Sequence, residues 1–259
     1  MVTMTHSDTD RPANYVARVR HLVASSPKKE RLFFSGYVNR TAGAAIAVLV
    51  DPTHVTPNIL SVAGLAVHAV AAAFLVLATS PIPVWTWLLV LLLWQLAFSI
   101  DAADGQLARL RGQGSAFGAW LDTLIDVVTH VMVYGTVSMF LVRALDLGGP
   151  SAATFTAVVL GSHLLQLLTG WRHDIIGSEP AVPNPPRWLA LSMWARHLLD
   201  YGWFLFAAAA LLPWPPLLLF FLLASAVLHV LSSVIQLGLN WYRYLGDRRP
   251  TRDESLTRR

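Results

Sequence analysis

Four aspartates stand where aspartates are expensive. Asp101 and Asp104 follow directly on the apolar run 88–100, and Asp122 and Asp126 lie inside a second apolar stretch. A carboxylate at bilayer depth is costly and marks a functional site far more often than a packing position. Asp101 and Asp104 are three residues apart, and Asp122 and Asp126 four apart. Both spacings put a pair on one face of a helix. The polar stretch 106–115 between the pairs predicts a turn that makes the two helices antiparallel neighbours, so all four carboxylates can converge. Four converging carboxylates repel one another unless cations lie between them. Oxygen-only donor sets suit hard ions such as Mg²⁺ or Mn²⁺, and four ligands leave room for two ions, an arrangement suited to phosphoryl-type transfer.

The residues between the pairs agree with that chemistry. Gly105 removes a side chain beside the second carboxylate, so that a bulky ligand can approach. Ala108 stays small one turn on, and Arg109 offers a planar fork of donors for phosphate oxygens. Gly118, one turn before Asp122, opens space again.

The elements that must position these residues are membrane helices. The chain is 55% hydrophobic and 13% charged, against about 25% charged in soluble domains. It has no cysteine, which excludes disulfides, thiolate metal sites and cysteine nucleophiles. Runs of about 20 apolar residues predict six transmembrane helices at 57–79, 83–105, 116–142, 151–171, 188–212 and 216–241. The segment 32–51 is too polar at its start to span and predicts an amphipathic helix on the membrane surface. The expected fold class is therefore an all-α polytopic membrane protein with six transmembrane helices after a surface helix. Its expected parts are a polar cytoplasmic segment 1–31, the juxtamembrane helix 32–51, a six-helix domain 52–245 and a basic tail 246–259. The polar start carries no secretory signal pattern.

Eighteen of the nineteen Lys and Arg residues fall on one side of these spans, and Arg143 alone falls on the other. The positive-inside rule then puts both termini and the aspartates on the cytoplasmic side of the cell (inner) membrane. The basic residues flank apolar segments, which points to lipid headgroups and away from nucleic acid.

The pattern D-x2-D-G-x2-A-R-x8-G-x3-D-x3-D, complete from Asp101 to Asp126, resembles the signature of the CDP-alcohol phosphotransferase family. Val55-Thr56-Pro57-Asn58 opens the first span as the family's first helix is opened. The likeness covers roughly residues 32–245. Tyr37-Val-Asn-Arg40 and Phe117-Gly-Ala-Trp-Leu-Asp122 are similar to the inositol-phosphate-type branch.

The resemblance implies an integral membrane transferase. It would move a substituted phosphate from a CDP-alcohol, either CDP-diacylglycerol or a soluble CDP-polyol, to an alcohol acceptor with release of CMP, in phospholipid biosynthesis. It implies one metal on Asp101, Asp104 and Asp122, and a second on Asp101, Asp122 and Asp126. Asp126 would be the general base. Pro57, Asn58, Gly105, Ala108, Arg109, Ser115 and Gly118 would surround the nucleotide. Several family members use phosphorylated acceptors, for which Arg172, Arg196 and Arg243 are candidates by position. A homodimer is implied as well. Val127 and His130 depart from the Arg and Asp that family members often carry there.

Two other classes use membrane aspartates. A cation-coupled transporter would leave Gly105, Ala108, Arg109 and Gly118 without a role. A membrane prenyltransferase would need a second acidic motif on a distant helix, and both pairs here lie within 26 residues. His130, His163, His197 and His229 are expected as interhelical hydrogen-bonding groups.

Overall fold

A computed structural model describes residues 14–25, 34–170 and 200–247. Among them every regular element is a helix. Helix α1 (Tyr15–Ser25) precedes a single π-helical turn (Ser35–Asn39) that runs into α2 (Arg40–Val50). Then follow α3 (Pro57–Leu77), α4 (Val84–Arg111), α5 (Ala116–Ala144), α6 (Gly149–Gly170), α7 (Tyr201–Leu211) and α8 (Pro215–Asp247). Five are long and apolar enough to cross a bilayer: α3, α4, α5, α6 and α8. The expected fifth span, 188–212, is described only from Asp200 onward, where α7 contributes 11 apolar residues.

Local chemistry sets the ends that matter. Thr56 caps α3 by accepting from the Ile59 amide, with Pro57 in the first turn. Ser115 caps α5 by accepting from the Gly118 amide at 3.0 Å. Gly112, at φ +63°, closes α4 in the left-handed conformation.

The predicted ten-residue turn 106–115 is therefore much shorter. Residues 106–111 continue α4, and only 112–115 connect it to α5. Gln106, Leu107, Ala108 and Arg109 are good helix formers, and no breaker stands before Gly112. Counting about 20 residues from Val84 ends beside Asp104, so the aspartates of α4 sit at the end of its apolar crossing.

Helix α4 is central. It packs against α2, α3 and α7. Small residues allow the close approach, since packing inside a bilayer rewards close contact over hydrophobicity. A Cβ on Gly43 of α2 would lie 3.0 Å from both Ala102 Cβ and the Ser99 carbonyl oxygen of α4. The larger core lies away from the aspartates, where Trp94, Tyr134, Phe140, Leu205 and Leu222 of α4, α5, α7 and α8 are buried together.

Two polar devices tie the helices together. Asp200 accepts from the amides of Phe34 (3.0 Å), Ser35 (2.8 Å) and Gly202 (3.0 Å), and from the Ser35 hydroxyl. Gly202 sits against Asn39 so tightly that a Cβ would fall 2.6 Å from Asn39 Oδ1. At the far end of α5, Arg143 donates to the carbonyls of Leu75 (3.1 Å) and Val76, satisfying the last turn of α3.

Candidate active site

The long run of α4 into a four-residue connection makes α4 and α5 neighbours at their polar ends. Carboxylate oxygens of Asp101, Asp104 and Asp122 lie within 4.8 Å of one another. Asp101 is half-buried, Asp104 buried and Asp122 exposed, so the group opens on one side. Asp126 lies one turn further along α5 and is half-buried. His130 Nδ1 contacts the Asp126 carbonyl oxygen one turn on, and the His130 ring lies tilted against the Tyr201 ring, with centroids 3.9 Å apart.

Three carboxylates this close form a donor set of hard oxygens. That set fits a divalent ion of the Mg²⁺ or Mn²⁺ type and not a soft one.

The triad opens onto a cleft of about 430 Å³. Asp104 and Asp122 belong to its wall. The cleft is also lined by all seven residues expected around a nucleotide: Pro57, Asn58, Gly105, Ala108, Arg109, Ser115 and Gly118. Three helices supply them. The start of α3 gives Pro57 and Asn58, the end of α4 gives Gly105, Ala108 and Arg109, and the start of α5 gives Gly118 after its cap Ser115. A Cβ on Gly118 would come 3.1 Å from Ser115 Oγ and 3.3 Å from Asn58 Oδ1, so glycine here keeps the two walls in register.

The sequence reading missed Ser61. Its hydroxyl donates to Asp104, and it lines the cleft. It lies one turn after Pro57, on the face of α3 that meets α4, and nothing in its sequence position alone signals that contact. Gly112, Gln113 and Gly114 of the short connection and Ala119 of α5 complete the wall.

The expected acceptor ligands are Arg172, Arg196 and Arg243. Arg172 and Arg196 lie outside the described residues. Arg243 falls near the end of α8, with its side chain outside them too. Of the histidines, His163 Nδ1 and His229 Nε2 approach to 3.5 Å between α6 and α8, as interhelical polar groups do. His197 lies outside the described residues.

With this geometry in place, comparison with known proteins is decisive about kinship. The family model described as CDP-alcohol phosphatidyltransferase matches residues 54–231. The chain belongs to that family. Phosphatidylinositol phosphate synthase of Corynebacterium glutamicum is 33% identical over 116 residues, 44% of this chain and 48% of that protein. Cholinephosphotransferase 1 of Danio rerio is 36% identical over 86 residues, 32% of this chain and 22% of that protein. The chain thus matches just under half the length of the first relative and under a quarter of the second.

The crystal structure of Mycobacterium tuberculosis phosphatidylinositol phosphate synthase with CDP-DAG bound shares the fold. It has a TM-score of 0.53 at 21% identity, covering 78% of this chain and 94% of that one. The apo form of that protein gives 0.51 at 22% identity, covering 76% and 94%. Membership of the CDP-alcohol phosphatidyltransferase family sets aside the transporter and prenyltransferase readings. The expected likeness to the inositol-type branch agrees with the C. glutamicum relative.

Proposed function

We propose that this membrane protein transfers a substituted phosphate from a CDP-linked donor to an alcohol, releasing CMP, in phospholipid biosynthesis. One observation carries the reading: a carboxylate triad shares Asp104 and Asp122 with a cleft lined by the CDP-alcohol signature. Asp101, Asp104 and Asp122 would hold one divalent ion, and Asp101, Asp122 and Asp126 a second. Ions bound there would neutralise the donor's pyrophosphate and the charge that develops on the departing CMP.

The chain's own groups do the rest. Pro57, Asn58, Ser115 and Gly118 form the wall against which the cytidine would rest. Gly105 and Ala108 leave room for the pyrophosphate, and Arg109, exposed at the mouth, donates to its oxygens. Asp126 takes the proton of the acceptor hydroxyl on a carboxylate oxygen as that hydroxyl's oxygen bonds to phosphorus and the bond to CMP breaks. Ser61 fixes the Asp104 carboxylate by its hydrogen bond.

CDP-diacylglycerol is favoured over a soluble CDP-polyol as donor. Phe117 and Trp120 lie beside the cleft at the start of α5, 60% and 57% exposed, with ring centroids 5.7 Å apart. An exposed aromatic pair suits the headgroup layer where a lipid-linked nucleotide resides. The lopsided distribution of Lys and Arg supports a site on the cytoplasmic side of the cell membrane, with 32–51 on its surface. The acceptor alcohol, phosphorylated or not, would be met by basic residues of the later helices, and the working unit would be a homodimer.

The test is CMP release by the purified protein with Mg²⁺ or Mn²⁺, CDP-diacylglycerol or a soluble CDP-polyol, and a panel of alcohols that includes inositol and inositol phosphate. CMP formation that requires donor, acceptor and metal supports the proposal. Its absence with every pair refutes it.

A further inference from the structure

Two arginines stand two residues apart at the end of α4, and the helix turns them in different directions. Arg109 lines the cleft, and Arg111 does not. The Arg111 side chain is only 14% exposed, although nothing about its place in the signature accounts for burying a guanidinium. Its partners do. Nη1 donates to the Val55 carbonyl at 2.6 Å, and Nη2 to the carbonyls of Val50 (3.0 Å), Asp51 (2.8 Å) and Thr53 (3.1 Å). Nε reaches the Asp51 carboxylate at 3.4 Å. Asp51 in turn accepts from Arg18 of α1.

All of these acceptors belong to the segment that leaves α2 and enters α3. The Val50 and Asp51 carbonyls lie past the last i to i+4 bond of α2, and the Val50 carbonyl accepts from the Thr53 amide and hydroxyl as well. The negative end of that helix dipole also favours a cation. A few residues later the same segment delivers Thr56, the cap of α3, and then Pro57 and Asn58, the cleft wall. A planar fork with five donors can hold four carbonyls and a carboxylate at once, and a lysine's single ammonium cannot.

Resting on the CDP-dependent reading above, we infer that Arg111 is a positioning residue for nucleotide binding. It locks the 50–55 segment to the end of α4 and thereby holds Asn58 at its distance from Gly118. The metal-competent carboxylates are carried by α4 and α5, outside this segment, and α3 reaches them through Ser61, which its own first-turn bond to the Pro57 carbonyl and its bond to Asp104 hold in place. Arg18 and Asp51 form its outer half.

The distinguishing signature is an effect on donor affinity that passes through Asn58. CDP binding is measured by calorimetry on the full-length protein in detergent, and CMP release is measured with CDP-diacylglycerol at saturating acceptor. Arg111→Lys and Arg111→Gln are expected to raise the CDP Kd and the donor KM about tenfold, with kcat and the Mg²⁺ concentration for half-maximal rate within about twofold of wild type. In an Asn58→Ala background, Arg111→Lys should add almost nothing to KM, because both changes disable one contact. Multiplying effects in the double variant, an unchanged KM, or a fall in kcat alone would overturn the inference. Should the Arg111 variants fail to accumulate, Arg18→Gln and Asp51→Asn decide. A KM raised about threefold in each supports the lock, and unchanged KM in both overturns it. Wild-type protein that binds no CDP would refute the cleft assignment itself, and the lock with it. Wild-type binding with variants that bind equally well would refute the lock alone.

Discussion

Substituting Gly118 by alanine separates stability from ligand binding in a way that most changes in this protein would not. Gly118 lies in the first turn of α5, where alanine is the better helix former by up to about 1 kcal/mol. The added Cβ would meet Ser115 Oγ at 3.1 Å and Asn58 Oδ1 at 3.3 Å, both tighter than ordinary contact. Each neighbour must give by a few tenths of an ångström. Ser115 is held by its capping bond to the Gly118 amide at 3.0 Å, so Asn58, whose side chain faces the cleft, gives more. A displaced Asn58 forfeits about one neutral hydrogen bond to the nucleotide, roughly 0.5–1.5 kcal/mol, which corresponds to a twofold to tenfold rise in Kd. Gly118→Ala should therefore melt in detergent at or slightly above the wild-type temperature, yet bind CDP about fivefold more weakly. Calorimetric titration with CDP alongside a thermal melt reads both quantities. Unchanged CDP affinity in a well-folded Gly118→Ala would show that the Asn58–Gly118 wall does not contact the nucleotide, and the cleft assignment would fall with it.

Asp126→Asn should abolish CMP release while leaving CDP affinity within about threefold of wild type; turnover near the wild-type rate would remove its role as base. Asp104→Ala should eliminate metal-dependent turnover at any accessible Mg²⁺ concentration, and Mg²⁺-stimulated CMP release by that variant would refute the triad as a metal site. Ser61→Ala keeps the ligands but frees the Asp104 carboxylate, so the Mg²⁺ requirement should rise by about tenfold at nearly unchanged kcat, read from metal titrations of the initial rate. Gly202→Ala forces a Cβ within 2.6 Å of Asn39 Oδ1 and 2.9 Å of Phe98, and overpacking of this kind costs about 1–3 kcal/mol. Its melting temperature should fall several degrees, and a melt identical to wild type would contradict the packing of α7 on the π-helical turn.

The aspartates were legible because two simple periodicities coincide with an energetic oddity. Spacings of three and four fix a helix face, and charge within apolar sequence is too costly to be incidental. The seven cleft residues were legible through fixed spacing to those aspartates, and they do line one cavity. The end of α4 was misjudged because polarity was taken for a turn. Residues 106–111 mix Gln and two Arg with Leu and Ala, all of them helix-favouring, and the stop is Gly112, which takes φ +63° at little cost because it has no Cβ. Ser61 was missed because a single serine in an apolar helix has no periodic signature. Its meaning comes entirely from the neighbouring helix that brings Asp104 to it. The π-helical turn ahead of α2 was likewise invisible, and the contacts made there, Asp200 on Ser35 and Gly43 against Ser99 and Ala102, come from helices distant in the chain.

The Asp200 clasp joins groups 165 residues apart in the chain. Ribosomes add about 5–20 residues per second, so the Phe34 and Ser35 amides wait roughly ten to thirty seconds after emerging before their acceptor exists. During that interval the π-helical turn has no anchor on α7, and it and α2 are held to α4 through Asn39 on Gln95 and Ser99, the Gln106 bond to the Arg40 carbonyl and the seat of Gly43. The turn around Ser35 is therefore completed late, when the segment that begins at Asp200 arrives. A chain halted before Asp200 would carry the full aspartate signature with its N-terminal helix unlatched.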